Sequence, residues 1–387
     1  MITRKDFEKR EHENLKPYAC FSDNVERLIS EDINILPHPI RTNFQRDRDR
    51  IIHSKSFRRL EYKTQVYLTE QGDHLRTRLT HSLEVSQIAR TIALQLGLNT
   101  DLVEAISLGH DVGHTPFGHV AEKRLNELLK EDSHYGFKHN VQGVSIFYNL
   151  EKKYEYSGLG LTIPVLEGIL KHTEIKLDLP EYFNCLYVEK NFSVTLEGQV
   201  VAIADEIAQI THDLDDYLRY HILSLEDFLN HSIFDNIRKF TLDKYGRNFD
   251  KLIDIEIDRK KEVIIRCLVD YLVCTLIKET EENLSDNFGA YELDRVYIDF
   301  AETKKEVESF HEYITSKCLE EYRVKEMDRR GKDIISTLYN YFKDFPEKLP
   351  ESTRKKYEDY GIIVISNYIS GMTDRYAIQE YNNIIKL

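Results

Sequence analysis

Between Thr195 and Arg219, the residues Leu196, Val200, Ile203, Ile207, Ile210, Leu214 and Tyr217 recur at alternating steps of four and three. That spacing stacks them on one side of an α-helix and on neither face of a strand. The stripe lasts about seven turns at 3.6 residues per turn, so the chain must fold around a long helix with one side buried. Glycine (16) and proline (8) are both scarce in 387 residues, which favours long helices and leaves no flexible or Pro-rich linker. Helical periodicity returns at 79–96 (Leu83, Ile88, Ile92 and Leu96, closed by Gly97), 102–112, 118–130, 262–278 and 333–343. Asp101 followed by Glu104 reads as a capping box. Gly113 ends that helix, and Pro116 forbids its continuation. The stretches NCLYVEKNFSV and YGIIVISNYI leave their local structure open, and no repeat or low-complexity tract occurs. The expected fold class is all-α.

A chain of 387 residues exceeds the size at which a single core stops growing. The expected organisation is a basic, helical N-terminal segment (1–60) packed on a helical core (61–225), followed by a helical C-terminal subdomain (226–387). The five cysteines, at 20, 185, 267, 274 and 318, form no CxxC pair, which points to free thiols in a reducing compartment. The first residues are charged throughout, and no stretch approaches the apolar length of a membrane span. The expectation is a cytoplasmic protein with no membrane partner. A net charge of −14 disfavours generic binding to polyanions, yet residues 41–60 carry Arg41, Arg46, Arg48, Arg50, Lys55, Arg58 and Arg59 against two aspartates. Such an island either attracts phosphates or forms a helix face of Arg–Asp pairs; charge alone favours the second.

The chemistry concentrates in GHDVGHTPFGHV, residues 109–120, which holds three of the chain's 15 histidines beside Asp111. His110 and Asp111 are neighbours whose side chains diverge by about 100° on a helix, but they can converge on an ion lying beyond it. Further ligands must come from other helices, and His81 and Asp205 are the candidates. Asp205 lies opposite the apolar stripe, with Gln209, His212 and Asp213 in the same column; the alternative for each is a solvated helix face. Two histidines and two carboxylates suit an octahedral divalent cation with open positions, whereas structural zinc more often recruits thiolates. His119 and Glu122 stand at i, i+3 on one face of the next helix. A carboxylate so placed orients an imidazole and favours its protonated form.

Taken together, RTRLTHSLEV, GHDVGHTPFGHVAE, FKHNVQG, ADEIAQITHDLDD, KTQVY and SGMTDRYA resemble the HD-domain deoxynucleoside triphosphate triphosphohydrolases, over nearly the whole chain. The resemblance implies that 61–225 is the HD core and that His81, His110, Asp111 and Asp205 hold a divalent metal. Mg²⁺ or Mn²⁺ is the expected ion, with iron, cobalt, nickel and zinc as alternatives. It implies that water attacks the α-phosphorus of a dNTP, releasing deoxynucleoside and triphosphate. His119 is then the catalytic imidazole with Glu122 as its orienter, and His139 lies near the α-phosphate. Arg78 would bind phosphate, Gln65 would meet the sugar 3′-hydroxyl beside Val66, and Asp213 would share that edge. Asp374 and Tyr376 would lie near the nucleoside. His114 reads as a core or supporting residue, and the sequence does not decide between phosphate and subunit roles for Arg58, Arg59 and Lys63.

The resemblance also implies a homo-oligomer, with a regulatory dNTP between subunits. Two alternatives remain open: another HD-domain nucleotide phosphohydrolase, and a non-catalytic nucleotide sensor or single-stranded nucleic-acid binder. The presence of all four ligand types with His119 and Glu122 favours an enzyme.

Overall fold

The structure is a computed structural model describing residues 2–29, 34–64, 76–133, 135–175, 177–219, 222–284, 289–291 and 293–386. It is all-α; the described residues form only three isolated β-bridges, such as Thr64 with Thr77. The first nine helices are α1 (Arg4–Asn14), α2 (Asn43–Ile52), α3 (Lys55–Arg59), α4 (Arg78–Gln95), α5 (Thr100–Gly109), α6 (Gly118–Asp132), α7 (His139–Ser145), α8 (Ile163–Lys171) and α9 (Leu196–Arg219). They are followed by α10 (Leu225–Leu229), α11 (Ile233–Tyr245), α12 (Phe249–Leu252), α13 (Ile257–Glu281), α14 (Lys304–Glu320), α15 (Tyr322–Asp344), α16 (Glu351–Tyr360), α17 (Ile363–Ser370) and α18 (Asp374–Ile384). None of the described helices is long and apolar enough to cross a membrane.

The striped segment is α9, packed against α4, α5, α8, α13 and α14. Because helices surround it, His212, Asp213 and Asp216 on its polar side are buried along with the stripe. The solvated-face alternative therefore fails for His212 and Asp213. α4 buries Val85, Ile88, Ala89, Ile92 and Ala93, while Leu83, expected in the apolar stripe, is exposed. The expected capping box at Asp101 is absent. Asn99 is the N-cap, accepting the backbone N–H groups of Asp101 and Leu102 at 3.1 and 3.3 Å. Asp101 and Glu104 are instead drawn into ion pairs with Arg48 at 3.3 and 3.4 Å.

Those pairs settle the basic island. Arg27 meets Asp47, Arg41 meets Asp49, and Arg50 donates to the carbonyls of Leu159 and Gly160. The paired reading holds for Arg41 and Arg48, whereas Arg50 is buried against backbone carbonyls. NCLYVEKNFSV begins in a 3₁₀ turn over Glu181–Leu186, and YGIIVISNYI contains α17.

The buried side chains form two cores. One reaches from Tyr18 to Val324 and contains the apolar faces of α4, α5, α8 and α9. The other joins Ala121, Leu125, Leu128 and Leu129 of α6, with Phe137, to Ile334, Leu338 and Phe342 of α15, Ile365 and Ile369 of α17, and Ala377 of α18. Thus α6 is packed on the C-terminal helices, while the helices bearing His81, Asp205 and the approach to His110 belong to the first core. The functional cluster lies where the two meet.

Candidate metal and catalytic site

α4 brings Arg78 and His81 to one face, a single turn apart. α5 ends at Gly109, three residues short of the expected stop at Val112, so His110 and Asp111 occupy the turn beyond it. Gly113 is needed there because a Cβ would stand 2.0 Å from the carbonyl oxygen of His139 and 2.4 Å from the Gly143 nitrogen. The glycine lets the turn press against α7 and so delivers His139 to the cluster.

The hydrogen bonds around His81 and His110 orient the two rings. His110 Nδ1 donates to the Ser107 carbonyl at 2.6 Å, which turns Nε2 into the cluster. That buried Nε2 has no hydrogen-bonding partner and stands 3.6 Å from both Asp111 Oδ1 and Asp205 Oδ1. His81 is set through a relay: the Glu84 carboxylate accepts from His212 Nε2, and His212 Nδ1 meets His81 Nδ1 at 3.1 Å. His81 thereby presents Nε2 to Asp205 Oδ1 at 2.9 Å. Ligating imidazoles are commonly oriented by such outer partners.

His81, His110 and Asp205 bring one ligand atom each within 4.8 Å of one another, and each can offer a lone pair to a cation once the imidazole nitrogens are unprotonated. Two imidazole nitrogens and a carboxylate converging in this way are a donor set that fits a divalent metal. A proton on His110 is the alternative to a metal as the positive charge these groups share. Burial opposes a charge on His110, yet Asp111 and Asp205 outweigh it and lift the imidazole to about 9. Burial likewise opposes ionisation of Asp205 and Asp111, but His110 for the first and Arg78 for the second hold these carboxyls well below their usual range.

Asp111 has its own supports. Arg78 Nη1 donates to its Oδ2 at 2.9 Å, and His114 Nε2 lies 3.1 Å from its Oδ1. Arg78 is fully buried, and its Nε and Nη2 have no hydrogen-bond partner among the described residues. His114 is buried too, with its ring stacked on His139 at 3.7 Å between centroids, which matches the reading of a supporting residue.

His119 is exposed, with its Nδ1 3.5 Å from Glu122 Oε2. The buried carboxylate binds His139 more tightly: Nδ1 at 2.9 Å and the His139 backbone N–H at 3.4 Å. The expectation that Glu122 serves His119 foremost is therefore amended, since its closest imidazole is His139. Burial pushes the Glu122 carboxyl up, but His139, His119 and His114 reverse this and hold it far below the usual range.

His172 carried no motif and was missed. It follows the apolar run of α8, where a single histidine reads as an ordinary core residue. The ring is buried, donates from Nδ1 to the Ile169 carbonyl at 2.7 Å, and meets His139 Nε2 with its own Nε2 at 3.0 Å. Glu84 was missed as well, its role being visible only through His212.

The remaining expected residues divide. Gln65 and Val66 lie outside the described residues. Asp213 is buried near Asp216 and Arg76, and burial followed by the Asp216 charge pushes its carboxyl up to about 7. It lies eight residues beyond Asp205, about 12 Å along the helix axis. Asp374 has both oxygens engaged, by the Thr64 N–H (2.9 Å) and hydroxyl (2.7 Å) and by the Phe117 N–H (3.1 Å). A substrate contact from Asp374 therefore finds no support. Tyr376 shares a hydrogen bond with Tyr368 at 3.0 Å and lines a cavity of about 1040 Å³ that includes Lys138 and Gln142 but none of the four expected ligands. Lys63 is buried and donates to the carbonyls of His114 and Ser370, and Arg59 donates to that of Gly371 at 3.0 Å. Both fasten the C-terminal helices to the site's surroundings.

The HD domain family model matches residues 78–210, and the phosphohydrolase-associated domain matches 298–383. Curated relatives align over almost the full length. The protein of Nitrosomonas europaea is 38% identical over 382 residues, covering 97% of this chain and 98% of its own. That of Thiobacillus denitrificans is 38% identical over 95% and 96%, and that of Rickettsia bellii 36% over 91% and 94%. Each is named a deoxyguanosinetriphosphate triphosphohydrolase-like protein. With its ligand-bearing turn and α4 to α8 inside the HD match, which ends within α9, and α14 to α17 inside the associated one, the chain belongs to the HD-domain phosphohydrolases of the dGTP triphosphohydrolase-like family.

Proposed function

We propose that this protein hydrolyses deoxynucleoside triphosphates at the α-phosphorus, releasing deoxynucleoside and intact triphosphate. The observation that carries the reading is the pairing of two unspent groups on either side of Asp111. The orphaned His110 Nε2 lies on one side, and the unpartnered Nε and Nη2 of Arg78 on the other. A cation site beside a buried guanidinium with free donors is suited to a polyanionic phosphate chain. The family to which the chain belongs and the names of its relatives support the same substrate class.

In this reading His81, His110, Asp111 and Asp205 hold the divalent ion, Mg²⁺ or Mn²⁺. When bound, it supplies Lewis-acid polarisation of a phosphoryl oxygen and acidifies water. Arg78 uses its free donors on the phosphate oxygens while Nη1 keeps Asp111 in place. His119, the accessible imidazole of the cluster, gives a proton to the departing 5′ oxygen. Glu122 fixes His139 and restrains His119, and His139 faces the α-phosphate. Gln65 takes the sugar 3′-hydroxyl, with Asp213 at the same end of the substrate.

Metal-loaded protein incubated with each dNTP and NTP, with products separated, tests the reading. Triphosphate as the product supports it, whereas pyrophosphate or phosphate assigns a different phosphohydrolase chemistry. A 2′-hydroxyl is only weakly rejected by apolar crowding, so discrimination requires a wall committed to another contact. Gln65→Ala is expected to weaken dNTP binding and to narrow the dGTP/GTP ratio of kcat/KM. Equal ratios in wild type and variant would remove Gln65 from sugar selection.

A further inference from the structure

We infer that Asp374, in the C-terminal helical segment, is a positioning residue: it anchors the left-handed turn at Phe117 and thereby aims the helix that carries His119 and Glu122. The inference rests on the proposed reaction for its kinetic readout, but its geometry stands independently.

α6 does not share a core with the helices supplying His81 and Asp205; its apolar face packs on α15, α17 and α18. Something must therefore register α6 against the ligands. The helix starts at Phe117, which has φ 64° and ψ 19° and no side-chain cap, and Gly118 follows at φ 68°. Left-handed backbone is disfavoured at a bulky residue, and it persists only when its surroundings over-determine it.

Those surroundings come from the C-terminal segment. Asp374 Oδ1 accepts the Phe117 N–H at 3.1 Å, and Oδ2 accepts both Thr64 donors. Lys63, next to Thr64, ties the His114 carbonyl to that of Ser370. From the far side, α15 presents Gly331 so closely that a Cβ there would lie 3.2 Å from Phe117 Cβ. The turn is thus held at His114 and at Phe117 by groups that contact no proposed ligand, and His119 lies two residues beyond. Asp374 is 7% exposed, and its carboxylate is committed to this clamp.

The test is Asp374→Asn, whose amide nitrogen would face a donor where a carboxylate oxygen now accepts. A shift of about 1 Å in a reacting group costs on the order of 100-fold. The expected result is a 10- to 100-fold fall in kcat for dNTP hydrolysis, with KM and bound metal unchanged. Glycine enters the left-handed region freely, so F117G/D374N is expected to regain at least fivefold of the lost kcat, which a general loss of packing would not do. Histidine ring NMR provides a readout free of substrate: in D374N the His119 and His139 signals move while those of His81 and His110 stay. If D374N does not fold, Gly331→Ala probes the same turn, because alanine improves the helix while crowding Phe117. It is expected to move the same two signals. A D374N rate within twofold of wild type, a parallel loss of metal, or no recovery in the double variant would each overturn the inference. If wild type releases no triphosphate, the proposed reaction fails, and the NMR comparison still decides the role of Asp374.

Discussion

Replacing Glu122 by glutamine keeps the side chain's size and removes its charge. The carboxylate is nearly enclosed, with 5% of the side chain exposed, and Oε2 lies 2.9 Å from His139 Nδ1 and 3.5 Å from His119 Nδ1. Its other oxygen takes the His139 backbone N–H at 3.4 Å and lies 3.8 Å from Lys138 Nζ. A hydrogen bond to a charged partner contributes about 1.5–3 kcal/mol. At 1.36 kcal/mol per decade, losing one such bond in the transition state lowers kcat by about 10- to 150-fold. Stability also changes with pH. The folded carboxyl is held far below its usual range, so its contribution is fully present above the unfolded value near 4.3 and fades as pH falls below it. Wild type should therefore lose stability more steeply than E122Q on acidification through that region. Triphosphate release at saturating dNTP, bound metal by elemental analysis, and Tm from about pH 2 to 6 give the three readouts. A kcat within twofold of wild type, or metal loss parallel to rate loss, would refute the assignment of Glu122 to the imidazoles.

His110→Ala should abolish bound metal and hydrolysis together while the helical circular dichroism signal persists; metal retained at wild-type stoichiometry would remove His110 from the site. For His119→Ala, kcat should fall by roughly 10²- to 10⁴-fold, the usual contribution of a positioned acid, with metal content unchanged. Equal falls in metal and rate would make His119 a ligand. Gly113→Ala drives a Cβ to 2.0 Å from the His139 carbonyl, and overpacking of this kind costs about 1–3 kcal/mol or more. A lowered Tm with displaced His139 resonances is expected, and an unchanged Tm would mean that the turn relaxes without α7.

The helical nature of the chain, its central helix and its ligand candidates were all legible in one dimension, because each depends on spacing along the chain. The four-and-three rhythm from Leu196 to Tyr217 dictates a buried helix whatever its neighbours. The string of histidines and Asp111 marks a site because such residues gather at little else. Local competition was less legible: Asn99 took the cap from Asp101 because Arg48, more than 50 residues earlier in the chain, claims Asp101 and Glu104.

Tertiary structure alone decided which partner each polar group has. Whether His212 is solvated or holds His81 depends on Glu84 arriving from another helix. His172 had no periodic or motif signal, since one histidine after an apolar run looks like core until His139 is brought 3.0 Å away. Asp374 and Phe117 are separated by 257 residues, and no local pattern can announce such a bond. Sequence thus determined which residues were available to the site, through propensity and period. The packing of two cores against each other determined which atoms were left with free lone pairs and donors, because hydrogen-bond satisfaction is a property of neighbours in space.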